Sequence, residues 1–259
     1  MEIKKYDLIC SLGGNCMIAS QLRQRGMRPF SLPFDWCYFT TTQAIKYLCE
    51  GFKDDFKNFL LKENLVPLEG EEYNTNHTDK AQFKDTYTGY YFANHFPLNV
   101  PLSKSYCRVN KKIQKRIKRL IKAIKKSKKI LFMISTVIEI DISEIENLKQ
   151  ALQEKYPSKV FDFRIISFGR NKDEIIEKEN ILIKNYERKD NFYDFVRTNI
   201  EWQYMVDNIV LNPQKTFAKI LRTKKGYGIQ LLPFINTLFR IKLYFLGLRF
   251  EICLGKQRD

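Results

Sequence analysis

The chain has 259 residues, of which 44% are hydrophobic, and its 45 Lys and Arg residues against 29 Asp and Glu give a net charge of +16. This length suits a full-sized core and excludes a small domain held together by disulfides or metals, and the 2 histidines exclude a His-rich metal site. The basic charge does not by itself indicate nucleic-acid binding, because a composition rich in Lys, Ile and Asn can also reflect an AT-rich genome.

The start of the chain and its cysteines bear on its compartment. Residues 1–7 lead into an apolar segment too short for a secretory signal, and no uncharged apolar run reaches the roughly 18 residues of a membrane span. The 6 cysteines are scattered, without a C-x-x-C pair or metal-ligand spacing. We therefore expect reduced thiols in a cytoplasmic protein, with no metal and no cofactor.

The chain opens with a strand, a glycine turn and a helix. Residues 6–12 form an apolar run that predicts a buried strand, and Gly13 and Gly14 end it. Asn15 suits the N-cap of a helix over residues 16–25.

The next elements are a loop, a helix and an aromatic strand. Residues 28–36 contain prolines and aromatic residues and predict a structured loop. Apolar residues at helical spacing predict a helix within residues 40–59. The polar segment 62–86 predicts a loop, and the aromatic run 87–96 predicts a strand or hairpin arm.

A basic segment follows. Residues 104–129 hold thirteen Lys or Arg and no Asp or Glu, around an apolar stripe at helical spacing. We favour an amphipathic helix with a solvated basic face, and the alternative is contact with an anion or a membrane surface.

Strands then alternate with helices. Apolar runs predict strands at residues 130–137, 160–168 and 181–186, with helices at 143–156 and within 192–209. This alternation predicts an α/β fold with a mostly parallel sheet and flanking helices.

The C-terminal part differs from the rest. We expect residues 1–212 to form one α/β catalytic-type domain and residues 213–259 to form a basic, apolar, helical tail. Such a tail suits an interfacial helix on the inner face of an anionic membrane, and equally a helix docked on the domain or on a partner subunit.

Cys16 is the residue most suited to chemistry. It falls at the first strand-to-helix turn, where unpaired N–H groups and the helix dipole favour a thiolate. N–H groups around Gly13, Gly14 and Asn15 could also serve as an oxyanion hole. The alternative is a buried cysteine that serves only as a small apolar side chain.

A longer motif surrounds this cysteine. Residues 11–36 read S-L-G-G-N-C-M-I-A-S-Q-L-R-Q-R-G-M-R-P-F-S-L-P-F-D-W. They resemble the opening signature of a bacterial family of unknown function described as "putative papain-like cysteine peptidase", with its Gly-x-x-Cys turn, Ala-x-x-Leu-Arg helix, Gly-Leu-Arg corner and Ser-x-Pro-Phe-Asp-Trp loop. Met27 stands where the family has Leu.

The resemblance implies a nucleophile and a base. Cys16 would attack the substrate, and His95 would act as base because it ends a strand-like segment, whereas His77 lies in a polar loop. The third, orienting group is open among three residues: Asp35 of the signature loop, Asn15 and Asp141.

The Gly-Asn-Cys turn is also similar to that of a coenzyme-A-binding, acetyltransferase-like family of capsular polysaccharide biosynthesis. This similarity implies acyl transfer onto a sugar hydroxyl, with phosphate groups held by Arg23, Arg28 or the basic face of residues 111–129.

Three functions therefore stay open. The first is a Cys–His thiol enzyme that acts on an amide or acyl group. The second is a transferase that binds coenzyme A or a nucleotide-sugar, in which Cys16 is only close-packed. The third is a non-catalytic protein that binds anionic surfaces. We expect a small-molecule, peptide or glycan-precursor substrate and a peripheral membrane contact through the tail, and we do not expect nucleic-acid binding.

Overall fold

The computed structural model describes residues 3–69, 79–170, 173–187 and 205–212, together with the backbone of four C-terminal strands. His77 lies outside the described residues. The first half contains, in chain order, β1 (Lys4–Tyr6), β2 (Leu8–Ser11), α1 (Met17–Gln24), α2 (Gln43–Asp54), β3 (Leu65–Pro67), β4 (Lys80–Asp85), β5 (Tyr91–Pro97) and α3 (Leu102–Lys126). The second half contains β6 (Lys129–Thr136), α4 (Ile142–Lys155), β7 (Val160–Arg170), β8 (Glu174–Lys178), β9 (Ile181–Glu187), β10 (Ile209–Leu211), β11 (Ala218–Thr223), β12 (Gly226–Leu231), β13 (Phe239–Phe245) and β14 (Leu248–Leu254).

The main sheet has five strands in the order β2-β6-β7-β9-β8. β2, β6, β7 and β9 run parallel to one another, whereas β8 runs antiparallel to β9. The α/β class is confirmed, but the expected mostly parallel sheet is corrected to a mixed one. The reason is local, because Lys178 pairs with Ile181 and so leaves only a tight two-residue turn, which joins strands in hairpins.

Helices cover both faces of this sheet. Alternate residues of β6 show the division: Phe132 and Ile134 belong to a large core cluster with residues of α2, α3 and α4, whereas Leu131 and Met133 pack with Ile18 of α1. This period of two is what a strand buried on both faces requires.

A second, antiparallel sheet of β3, β4 and β5 lies in the first half of the chain. Part of it falls in residues 62–86, which we predicted to be a loop, and that prediction is corrected for β3 and β4. Phe59, Tyr90 and Phe92 join this sheet to Phe34 of the 28–36 loop through ring contacts of 5.1–5.6 Å. The loop is therefore part of the core.

The C-terminal strands form two antiparallel pairs, β11 with β12 and β13 with β14. The predicted tail helix is not formed in these segments. The sequence F-R-I-K-L-Y-F of β13 alternates apolar residues with mostly polar ones, and that period of two favours a strand. The boundary expected at residue 213 lies outside the described residues. Over the part of the chain that the structure describes, no helix is long and apolar enough to cross a membrane.

Candidate active site

Two glycines shape the turn between β2 and α1. Gly13 and Gly14 have φ angles of 89° and 91°, a conformation that residues with a Cβ rarely adopt. A Cβ on Gly14 would lie 2.9 Å from the carbonyl carbon of Ser135 and closer still to its oxygen. Only glycine lets this turn lie directly against the end of β6.

The Asn15 side chain bonds both β6 and the start of α1. Its Nδ2 donates to the Ser135 hydroxyl at 2.8 Å, and its Oδ1 accepts from the Met17 N–H at 3.0 Å. The helix starts one residue later than predicted, with Cys16 at the N-cap and Asn15 supplying the capping side chain. The predicted position of the turn is therefore confirmed, whereas the N-cap is Cys16 and not Asn15 as predicted.

Cys16 is a partly exposed residue at this helix start. Burial raises the pKa of the thiol, and the residue's own N–H group, which favours the thiolate, does not offset this effect. We expected the helix start to lower the pKa. The direction is opposite because apolar burial outweighs the helix start, where the Met17 N–H already bonds Asn15. The resting residue is a neutral thiol near pH 7.

His95 lies on β5, with its ring edge against Phe92 at 5.3 Å between centroids. The residue is partly exposed, but both ring nitrogens are buried and have no hydrogen-bond partner. Burial, followed by the charges of Arg116 and Lys112, lowers the pKa of the imidazole to about 3. His95 is therefore neutral and makes no hydrogen bond to Cys16.

The path of the chain explains why His95 does not bond Cys16. Tyr90, just before β5, contacts the turn, where its hydroxyl donates to the Leu12 carbonyl at 2.8 Å. His95 follows five residues later, which is about 16 Å of extended chain. The cationic residues that act on it, Arg116 and Lys112, belong to α3.

Asp35 is fully buried in the 28–36 loop. Its Oδ2 accepts from Arg28 Nε at 2.9 Å, from Arg28 Nη2 and from the Leu32 N–H at 2.7 Å. Burial raises the pKa of this carboxyl against the opposing effect of Arg28. Only Oδ2 of Asp35 is bonded, whereas Oδ1 is buried without a hydrogen-bond partner, and Asp35 makes no hydrogen bond to His95.

The remaining candidates are Arg23 and Asp141. Arg23 is exposed near the end of α1, seven residues beyond Cys16. Asp141 caps α4, where its carboxylate accepts from the Ser143 N–H at 2.7 Å. No group of three or more His, Cys, Asp and Glu residues that could hold a metal occurs among the described residues.

The structure brings Gly13, Gly14, Asn15 and Cys16 together at the carboxyl ends of β2 and β6. It adds Ser135, which sequence reasoning missed. Polar residues also lie near the carboxyl ends of β6, β7 and β9: Thr136, Ser167 and Asn185 are paired in register and fully buried. The signal that could have found them is a polar residue at the end of each apolar run, since ligands of open α/β sheets bind at that edge.

Comparison with known proteins gives one match. The model of the family described as "Putative papain-like cysteine peptidase (DUF1796)" matches residues 7–172. No curated protein and no solved structure matches the chain.

Proposed function

The chain belongs to the putative papain-like cysteine peptidase family, and on that premise we propose that it is a thiol enzyme that cleaves or transfers an amide or acyl group, with Cys16 as nucleophile. The observation that carries this proposal is the placement of Cys16. Cys16 is a partly exposed residue at the start of α1, on a turn that Gly14 and Asn15 hold against β6. A nucleophile held in one geometry loses little entropy on attack.

The chemistry needs a proton acceptor, because the pKa of the Cys16 thiol is raised. In the proposed step, the sulfur bonds to the substrate's carbonyl carbon while the thiol proton passes to a base. The bond from that carbon to the leaving group then breaks, the base returns the proton to the leaving group, and a thioester remains. Water or a second acceptor then cleaves this thioester. The N–H groups of Gly13 and Met17 already bond Ser11 and Asn15, so the Cys16 N–H, which favours the thiolate, is the donor of the turn suited to stabilise the oxyanion.

His95 stays our proposed base and Asp35 our proposed orienting group, although the described conformation does not join them to Cys16. Both nitrogens of His95 are unpaired, so proton transfer requires the turn or β5 to move. Removal of His95 tests the role directly. A His95→Gln variant with unchanged kcat would show that another group, or water, accepts the proton.

The turn favours a nucleophile over a phosphate cradle. In the alternative transferase, N–H groups after Gly14 would bind a phosphate of coenzyme A or of a nucleotide-sugar. However, the Met17 N–H is bonded to Asn15, and Gly14 lies against Ser135. If the Cys16→Ser variant kept full activity and the protein bound coenzyme A, the transferase would be favoured over the thiol enzyme.

The experiment uses p-nitrophenyl acetate with the full chain. We expect nitrophenolate release and an acetyl adduct on Cys16, detected by mass spectrometry of tryptic peptides. Cys16→Ala should reduce release to the background rate, whereas Cys107→Ala, which removes an exposed thiol, should not. Equal release from wild type and Cys16→Ala, with no adduct on Cys16, would reject the nucleophile.

A further inference from the structure

A basic groove runs along α3, apart from the Cys16 turn. Its cavity has a volume of about 390 Å³, within the range typical of ligand sites. Ser31 of the 28–36 loop lines it together with six cationic residues: Arg108, Lys111, Lys112, Lys115, Arg116 and Arg119. Since each of the six lies three or four residues from at least two of the others, they form one stripe on the helix, about 16 Å long.

The positive charge of this groove is only partly balanced by the protein, since Asp35 acts on Arg116 but is itself bonded to Arg28. None of the six cationic residues forms an ion pair within 4.0 Å of a carboxylate that the structure describes. Burial and then the charges of Arg116 and Arg108 lower the pKa of Lys112. Like charges held this close repel one another, and a bound anion would relieve that repulsion.

Two of the arginines are held in place. Arg116 is buried and donates from Nη1 to the Leu32 carbonyl at 3.4 Å. The Arg119 guanidinium lies over the Phe30 ring, 5.5 Å from its centroid. Guanidinium groups held in one orientation recognise phosphoryl oxygens with less loss of entropy than free side chains do.

We infer that this groove binds a soluble anion that carries two or more phosphoryl groups, extended along α3. The length of the stripe exceeds what a single phosphate can contact, and the concave shape between α3 and the 28–36 loop suits a small ligand better than a flat membrane or a duplex. The inference goes beyond the proposed thiol chemistry and does not rest on it, because Cys16 does not line the groove.

The experiment measures binding of sodium tripolyphosphate to the full chain by isothermal titration calorimetry. The test variant is Lys112→Gln/Lys115→Gln, which changes two exposed lysines of the groove. The matched control is Lys118→Gln/Lys125→Gln, which removes the same charge from exposed positions of the same helix outside the groove. We expect one-to-one binding, weakened about tenfold or more in the test variant and less than about twofold in the control.

The remaining outcomes overturn the inference. Equal weakening in both variants would show that only total charge matters. Absence of tripolyphosphate binding, together with binding to phosphatidylglycerol vesicles or to RNA, would assign the basic face to a macromolecular surface. Cys16→Ala should bind tripolyphosphate as wild type does, so that a failure of the thiol chemistry and a failure of this site are distinguishable.

Discussion

Gly14 lies against the backbone carbonyl of Ser135, so that the turn carrying Cys16 and the end of β6 touch without a side chain between them. Asn15 adds a hydrogen bond to the hydroxyl of the same serine. Two adjacent residues of the turn thus contact one residue of β6, which sets the position of the Cys16 thiol relative to the sheet.

Gly14→Ala should strongly destabilise the protein. The substitution adds a Cβ that overlaps backbone atoms of Ser135 and also strains a residue with φ of 91°. We expect a loss of about 3 kcal/mol or more in urea unfolding. Gly26→Ala is the matched control, since Gly26 also has a positive φ, of 68°, but is exposed, and should lose about 1 kcal/mol. Equal losses would mean that the contact with Ser135 contributes nothing.

Cys16 should alkylate slowly at neutral pH. Since burial raises its pKa, the thiolate fraction is small at pH 7 and grows as the pH rises past the usual thiol value of about 8.5. Site-resolved mass spectrometry with iodoacetamide, from pH 6 to pH 10, measures this rate, and exposed Cys107 reports general reactivity. A midpoint well below pH 8 for Cys16 would contradict the geometry described here and indicate a cationic partner.

His95 should make the protein sensitive to acid. Its pKa is about 3 when folded and about 6.5 when unfolded, so between these values the unfolded chain binds the extra proton. The contribution of His95 to the free energy of unfolding is therefore largest above pH 6.5 and decreases as the pH falls toward 3. At pH 5 it is smaller by about 2 kcal/mol.

A His95→Phe variant isolates this effect. It keeps a ring beside Phe92 and removes both buried, unpaired nitrogens. When the pH falls from 7 to 5, the free energy of unfolding measured in urea should decrease by about 2 kcal/mol less in the variant than in wild type. A difference between the two proteins that does not change with pH would show that His95 titrates normally.

The Arg28–Asp35 pair should be structural. Asp35→Asn leaves a mostly buried guanidinium without its counter-charge, and Arg28→Met leaves a buried carboxylate, so each should destabilise by about 3 kcal/mol or more. The double variant should lose less than the sum of the two. Lys149→Ala breaks the more exposed pair with Glu179 and should lose far less stability, because solvent screens that pair.

That experiment also tests the catalytic role proposed for Asp35. A purely structural pair would leave the pH profile of kcat unchanged in variants that still fold. A displaced pH profile in Asp35→Asn would instead support Asp35 as a group that positions the base.

Much of the central architecture could be read from local sequence. Residues 130–137, 160–168 and 181–186 are apolar runs with few alternatives to a buried strand, and all three lie on strands of the main sheet. The sequence E-I-I-E-K of β8 does not predict a strand, because two apolar residues among charged ones carry almost no periodic signal. Without this antiparallel strand, the predicted sheet was parallel and not mixed. In the tail, the high apolar content favours a helix, whereas the alternation of apolar and polar residues favours a strand. The helix prediction rested on the first signal and is wrong for β13 and β14.

The sequence by itself determined the turn, because its parts are neighbours in the chain: Gly13 and Gly14 for the backbone, Asn15 for the cap and Cys16 at the helix start. It also determined that α3 is a basic helix. Only the tertiary structure decided what these parts meet. The register of β5 and the packing of α3 place His95 near Arg116 rather than beside Cys16, and the 28–36 loop turns Asp35 toward Arg28. Contacts between residues distant in sequence depend on how whole elements pack, and single-residue patterns do not encode that packing.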